Sequence, residues 1–263
     1  MSTATASTAS ASTTTTGPDG LQVEIWSDIA CPWCYIGKRR FESALAAFPH
    51  AGSVDVVWRS FELDPNATSD DGEPVDQAAR LALKYGMSRE QAQQRLDQLT
   101  AAAADEGLTY RLDQSRGGNT FDAHRLLHLA ATESHELQGA LKERLLAARF
   151  TEGAAIADHD TLVQLAEEVG LDGETVRATL AGDTYAEDVR RDEWRAQALG
   201  ITGVPFFVLG GQYGVSGAQS SEVMLQALTA AHAALNPLTM VTNAANGDEG
   251  DEAEQCEGDA CAI

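Results

Sequence analysis

Cys31 and Cys34 are the residues of this chain whose type and spacing carry chemistry most directly. They bracket Pro32-Trp33 where a strand pattern, Leu21 to Trp26, gives way to a helical one, Trp33 to Phe48. Two thiols three positions apart at a helix start lie about one turn from each other, and the N-terminal end of the helix dipole favours negative charge on the first. Free cysteine titrates near 8.5, and such settings bring it to about 3.5–7.5, so the expectation is a Cys31 thiolate exposed at the junction. A pair of this kind exchanges disulfides: Cys31 attacks or is attacked, and Cys34 resolves or re-forms the bond through a mixed disulfide. The competing reading is half of a tetrahedral zinc site, which the same spacing suits. Pro32 opening an amphipathic helix, where a zinc knuckle would sit on a hairpin turn, favours the redox chemistry, and no resident metal is expected.

A second constellation lies far downstream, in Gly203-Val204-Pro205-Phe206-Phe207-Val208. Proline belongs at a strand's start or edge, and a cis Val204-Pro205 bond would turn the chain into the strand and leave the Val204 backbone free to pair with an extended substrate. Trp33, between the cysteines, is expected at the surface as a contact for unfolded substrates, whereas Trp26 and Trp58 are core residues by default. His124 stands four residues before His128, a metal-compatible spacing, but no carboxylate completes an HExxH motif. His124 either lines the active-site cleft or packs ordinarily within its helix. Asn119 or Thr120 caps that helix. Asp28, three residues before Cys31, would accept a proton from Cys34 only if buried; loop acids are usually solvated, and Asp28 is left outside the expected site.

Cys256 and Cys261 form the remaining pair, in a segment rich in Gly, Asp and Glu. A flexible tether from Pro237 to Cys256 has a reach of about 24 Å, and a body of this size has a radius of gyration of about 18 Å, so the pair can visit the active site. A redox relay to Cys31, idle surface thiols and metal binding all stay open. Neighbouring acids raise these thiols' pKa by like-charge repulsion.

The elements that must position these groups follow from pattern. The 263 residues, with 40 acids against 18 bases and a formal charge of −22, suffice for a real core and disfavour nucleic acid or anionic lipid as partners. The first 16 residues hold 11 Ser or Thr and read as a disordered leader. They lack the basic and apolar regions of a secretory signal, and no apolar run is long enough to span a membrane, which leaves the cytoplasm as the expected compartment. Strands are expected at Leu21 to Trp26, Val54 to Phe61, Pro205 to Leu209 and Gln212 to Val215, the last two joined at Gly210-Gly211. Between them, Ala-, Leu-, Glu- and Arg-rich segments predict helices at 75–85, 88–106, 120–132, 136–150, 160–169, 173–180 and 185–199, with a capping box at Ser88 to Gln91. A final helix covers 221–235. Strand, helix, strand, a helical block, a hairpin and a helix is the thioredoxin order: an α/β fold with a large all-helical insertion between its βαβ and ββα halves. The expected organisation is a leader (1–20), a thioredoxin-fold domain (21–65 and 200–235), an inserted helical domain (66–199) and an acidic tail (236–263).

Four segments carry a family resemblance: Cys31-Pro32-Trp33-Cys34-Tyr35-Ile36-Gly37-Lys38, Trp58-Arg59-Ser60-Phe61-Glu62-Leu63-Asp64-Pro65, Asn119-Thr120-Phe121-Asp122-Ala123-His124-Arg125-Leu126 and Gly200-Ile201-Thr202-Gly203-Val204-Pro205-Phe206-Phe207. Over about residues 21 to 235 the chain resembles the DsbA-like thioredoxin-fold oxidoreductases of the FrnE-type branch. The resemblance implies that Cys31 is the attacking thiol, Cys34 the resolving thiol and Pro205 a cis-proline beside them, acting on protein or small-molecule disulfides with no cofactor beyond the pair and with glutathione as a candidate reductant. It also places Asn119 or Thr120 near a ligand, beside Trp33, Val204 and His124, which the residues themselves make candidates for substrate contact. Glutathione-dependent 2-hydroxychromene-2-carboxylate isomerases and kappa-class glutathione transferases are similar in fold but carry Ser in place of the first cysteine. The two thiols of this chain depart from that pattern.

Overall fold

The computed structural model describes residues 20–68 and 76–235. Four strands form one sheet in the order β2-β1-β3-β4. β1 (Leu21–Ser27) runs parallel to β2 (Val54–Ser60) and antiparallel to β3 (Phe206–Leu209), which pairs antiparallel with β4 (Tyr213–Ser216). The βα-β crossover is made by α1 (Pro32–Ala47), and α9 (Ser221–Leu235) packs on the same face. That face packs as one core: Leu21, Val23 and Ile25 of β1 meet Phe41 of α1, Phe207 of β3 and Met224 and Leu228 of α9.

Central β1 is buried at every position but Gln22. The alternation of Val23 and Ile25 with Glu24 is real, yet the second face is also covered, because α8 (Ala186–Ala198) lies across it. Trp26 packs there with Ala196, Ile201 and Val208, and the buried Glu24 is held by Arg59 and by Arg195, the latter at 2.6 Å. A polar residue within a strand pattern therefore marks a buried ion-pair network here, not a wet face.

Between β2 and β3 stand α2 (Gln77–Tyr85), α3 (Arg89–Asp105), α4 (Phe121–Glu133), α5 (His135–Ala147), α6 (His159–Glu168), α7 (Gly173–Ala181) and α8. Their starts follow local chemistry. Asp76, Ser134, Asp158 and Asp172 each accept a hydrogen bond from a first-turn N–H, and Ser88 and Gln91 form the expected capping box. One helix run was expected to reach Phe150; instead α5 ends at Ala147 and a π-turn, Ala148–Glu152, takes the chain to Gly153 at φ 70°.

The outer edge of β2 would expose unpaired backbone donors in a dry interface. Two side chains from the helices fill the role of a neighbouring strand. Gln138 of α5 brackets Trp58, accepting from its N–H and donating to its carbonyl, both at 2.9 Å. Asp192 of α8 accepts from the Ser60 N–H at 2.9 Å. These contacts fix the register of α5 against the sheet and so decide what its next turn carries beneath the junction of β1 and α1.

Candidate active site

The junction after Ser27 is built from a tight turn. Cys31 N–H donates to the Asp28 carbonyl at 3.2 Å, Cys31 takes the N-cap position of α1 in extended geometry, and Pro32 fills the first helical position. Cys34 lies one turn inside, its N–H donating to the Cys31 carbonyl at 3.0 Å. Both cysteines are free thiols and both are buried, Cys31 5% and Cys34 1% exposed. The junction is wedged on both flanks. Ile29 is buried in the core of α4, α5, α6 and α7, while Tyr35 and Ile36 are buried against Leu99, Tyr110, Leu146 and Phe150.

Pro205 is buried opposite, and Val204-Pro205 is cis. The Cys31 thiol donates to the Val204 carbonyl at 3.4 Å. Gly37 makes this approach possible: a Cβ on it would stand 2.9 Å from Pro205 Cγ and 3.4 Å from Ala218 Cβ. Tyr110, on the segment between α3 and α4, donates its hydroxyl to the Pro32 carbonyl at 2.6 Å. Neither residue was singled out from sequence.

Beneath the sulfurs lies a set of buried polar groups. Asp28 is fully buried, contrary to the expectation of a solvated loop acid, because its carboxylate is the local turn's own acceptor: it takes the N–H of Ala30 at 3.1 Å and of Leu63 at 2.8 Å. His124 Nε2 faces it at 3.5 Å. Burial opposes the Asp28 charge, but His124 and the two N–H groups outweigh it and hold the pKa at about 2. Burial in turn pushes the His124 imidazole below its ordinary range, so it stays neutral at pH 7. Lys142 of α5 is also fully buried, with Nζ 3.4 Å from the Ser27 carbonyl and 5.5 Å from the Trp58 ring centroid, and burial draws its pKa down to about 8.

Burial works against a charge on Cys34, but the Cys31 thiol, the Lys142 ammonium and the Ser27 hydroxyl together lower its pKa. Cys31 is pushed well above its usual value, first by the neighbouring Cys34 sulfur and then by burial. The expectation of an exposed Cys31 is corrected: the thiol is buried, and it donates to the Val204 carbonyl.

The other expected site residues divide. Trp33, between the two cysteines in the chain, is 43% exposed, and Leu63, whose N–H donates to Asp28, is 42% exposed. His124 is fully buried and its ring nitrogens have no hydrogen-bond partner; it supports Asp28 from below and cannot touch substrate in this arrangement. Asn119 is engaged structurally, accepting from the Phe121 N–H at 2.7 Å and donating to the carbonyls of Pro65 and Ala67, while the Thr120 side chain makes no cap. His128 hydrogen-bonds with Ser60 at 3.1 Å and faces Asp192. Among the described residues no three His, Cys, Asp or Glu side chains gather to hold a metal ion, and no helix is long and apolar enough to cross a membrane. Cys256 and Cys261, and the expected leader up to residue 19, lie outside the described residues.

A cysteine pair at a β1-α1 junction, facing a cis-proline that opens a later strand, on a four-stranded sheet with a helical block between its halves, defines a thioredoxin-fold protein of the DsbA kind. The DSBA-like thioredoxin domain family matches residues 22–229, and the chain belongs to it. A probable DsbA oxidoreductase from Streptomyces coelicolor is similar in structure, with a TM-score of 0.77 and 53% identity over 88% of this chain and 97% of that one. The uncharacterized protein YwbO of Bacillus subtilis is 30% identical over 216 residues, which are 80% of this chain and 96% of YwbO. The cytosolic disulfide reductase DsbM from Pseudomonas aeruginosa, solved with GSH, shares the fold at a TM-score of 0.53, with 19% identity over 82% of this chain and 97% of that one.

Proposed function

We propose that the chain is a thiol-disulfide oxidoreductase that works through Cys31 and Cys34 by a mixed disulfide, on protein or small-molecule disulfides. The observation that carries the reading is the contact of Cys31 Sγ with the Val204 carbonyl beside the cis-Pro205. It sets the more accessible sulfur next to a backbone group of the kind an extended substrate pairs with.

In the reducing direction, Cys31 sulfur attacks one sulfur of the substrate disulfide, its proton passing to Cys34. The substrate S–S bond breaks, the leaving sulfur departs as a thiolate and takes up a proton, and the mixed disulfide forms. Cys34, having given its proton to the thiolate that left, then attacks the Cys31 sulfur; the Cys31–Cys34 disulfide forms, the bond from Cys31 to the substrate breaks and the second substrate sulfur leaves as a thiolate and takes up a proton. The substrate gains two electrons and the pair loses two. The oxidising direction is the same path reversed. A cellular thiol such as glutathione returns the pair to its reduced form, and the reaction calls for no further cofactor.

The test is reduction of insulin disulfides and oxidation of a reduced polypeptide by the wild-type chain, Cys31→Ser and Cys34→Ser. The expected result is loss of both activities in Cys31→Ser and accumulation of a trapped substrate adduct in Cys34→Ser. Undiminished turnover in Cys31→Ser overturns the assignment.

A further inference from the structure

A cavity of about 530 Å³ opens in the inserted helical block, between the N-terminal end of α2, residues 89–100 of α3 and the chain from Tyr110 to Asp113. That is the size of a small-ligand site. Part of its lining is apolar: Leu96 and Leu112 are half-buried against the cluster that holds Tyr35 and Ile36 of α1, and Tyr110 belongs to that cluster. Tyr110 is also the link to the chemistry, because it lines the cavity while its hydroxyl donates to the Pro32 carbonyl at 2.6 Å. The cavity and the backbone between Cys31 and Cys34 thus meet on one side chain. The charges in the lining do not balance. Arg89 is the only cation among the lining residues and is already paired, 3.0 Å from Asp76. Asp97 accepts from the neutral Gln93 amide at 2.9 Å, and Asp113 has no hydrogen-bond or ion-pair partner among the described residues. Two carboxylates therefore lack a counter-charge, in a molecule whose formal charge is already −22.

We infer that this cavity is a substrate subsite for a lysine or arginine side chain flanking the reacting cysteine, so that the exchange favours basic polypeptide disulfides. The inference rests on the redox reading above and names the substrate class for it. The complement of the lining is a cation on an apolar stem: the methylenes pack on Leu96, Tyr110 and Leu112, and the ammonium or guanidinium meets Asp97 and Asp113. Polypeptides carry such side chains beside their cysteines. Glutathione disulfide, a net anion, is a poor match. The subsite makes and breaks no bond, so its contribution is uniform binding of ground state and transition state and belongs in KM, not kcat.

The experiment compares two peptide disulfides that differ only in lysine or glutamine beside the cysteine, on the full-length wild type and on the double variant Asp97→Asn with Asp113→Asn. A second double variant, Asp160→Asn with Glu174→Gln, removes the same charge from exposed positions of α6 and α7. For the wild type the expected result is a KM about fivefold lower for the lysine peptide at low salt, the size of effect that exposed ion pairs supply, with equal kcat. The preference should vanish in the cavity variant and persist in the control. Asp97→Asn and Asp113→Asn alone should each remove part of it, which keeps the test open if the double variant folds poorly. Equal KM values for the two peptides on the wild type overturn the subsite. So does a preference that survives in the cavity variant, or one that falls equally in both double variants, since the net charge of the molecule would then be its source. A wild-type chain that exchanges with neither peptide nor with hydroxyethyl disulfide overturns the redox reading itself, and the two failures are thus distinguishable.

Discussion

Tyr110 donates its hydroxyl hydrogen to the carbonyl of Pro32 at 2.6 Å, so the segment between α3 and α4 grips the backbone between the two cysteines. The ring is held for that task, stacked on Phe150 at 5.2 Å and on Tyr35 at 6.2 Å between centroids. Tyr110→Phe keeps the stacking and deletes the bond, which costs about 1 kcal/mol. The expected outcome is an unfolding free energy in urea lowered by that amount and a slower rate of exchange with a small disulfide, since the turn that presents Cys31 loses its outer tether. Equal midpoints and equal rates would show that the bond is incidental.

Gly37 and Pro205 set two effects against each other. Alanine in place of a mid-helix glycine stabilises by about 1 kcal/mol through backbone entropy. Here the new Cβ would come 2.9 Å from Pro205 Cγ, and a buried pyrrolidine ring cannot swing aside as a long side chain can. Overpacking of this kind costs about 1–3 kcal/mol. Gly37→Ala is therefore expected to be net destabilising by chemical denaturation and to weaken exchange by moving Val204 away from Cys31. A more stable variant of undiminished activity would mean that propensity wins and the close approach is soft.

The buried acid predicts the acid limb of stability. Asp28 has an ordinary pKa of 3.8 and is held at about 2 when folded. A depressed carboxyl contributes stability that is present above the unfolded value and lost as pH falls through the folded one. The window is thus from about pH 4 down to about pH 2, and the amount is about 2 kcal/mol. His124 acts earlier and by the opposite state: burial lowers its pKa from 6.5, so below that value the unfolded chain binds a proton that the folded chain refuses, and stability begins to fall. Urea midpoints of wild type and Asp28→Asn between pH 2 and 7 separate the two. The lower limb should flatten in Asp28→Asn while the upper one remains, and parallel curves throughout would remove Asp28 from the account.

What was legible in the sequence had local causes. Ser88 and Gln91 announce α3 because a capping box is made within four residues, and Pro32 and Pro205 mark the helix start and the strand entry because proline restricts its own neighbourhood. The element order followed, and with it the fold. What was hidden depended on partners far along the chain. Lys142 lies in the run Leu141-Lys142-Glu143-Arg144, which reads as a solvated helix face, and only the docking of Gln138 on Trp58 turns its second residue inward. Asp28 reads as a loop acid until Leu63 arrives with its N–H. The burial of Cys31 was hidden for the same reason: the start of α1 is a local feature, whereas the Val204 carbonyl that takes its thiol hydrogen comes from far downstream.

Trp33 offers the sharpest separation of substrate binding from chemistry. Its ring is 43% exposed beside two buried sulfurs, and Leu63, 42% exposed, is tied to the same turn through its N–H and Asp28. Exposed side chains contribute little to folding, so Trp33→Ala should change stability by no more than about 0.5 kcal/mol. An aromatic anchor at a recognition surface is worth about 2 kcal/mol or more, so the same substitution should lower the rate on an unfolded polypeptide disulfide by about tenfold or more. A disulfide too small to reach the rim should react as before, since Cys31, Val204 and Lys142 are untouched. Equal losses on both substrates would instead assign Trp33 to the geometry of the thiol pair, and no loss on either would leave the apolar rim without a part in binding.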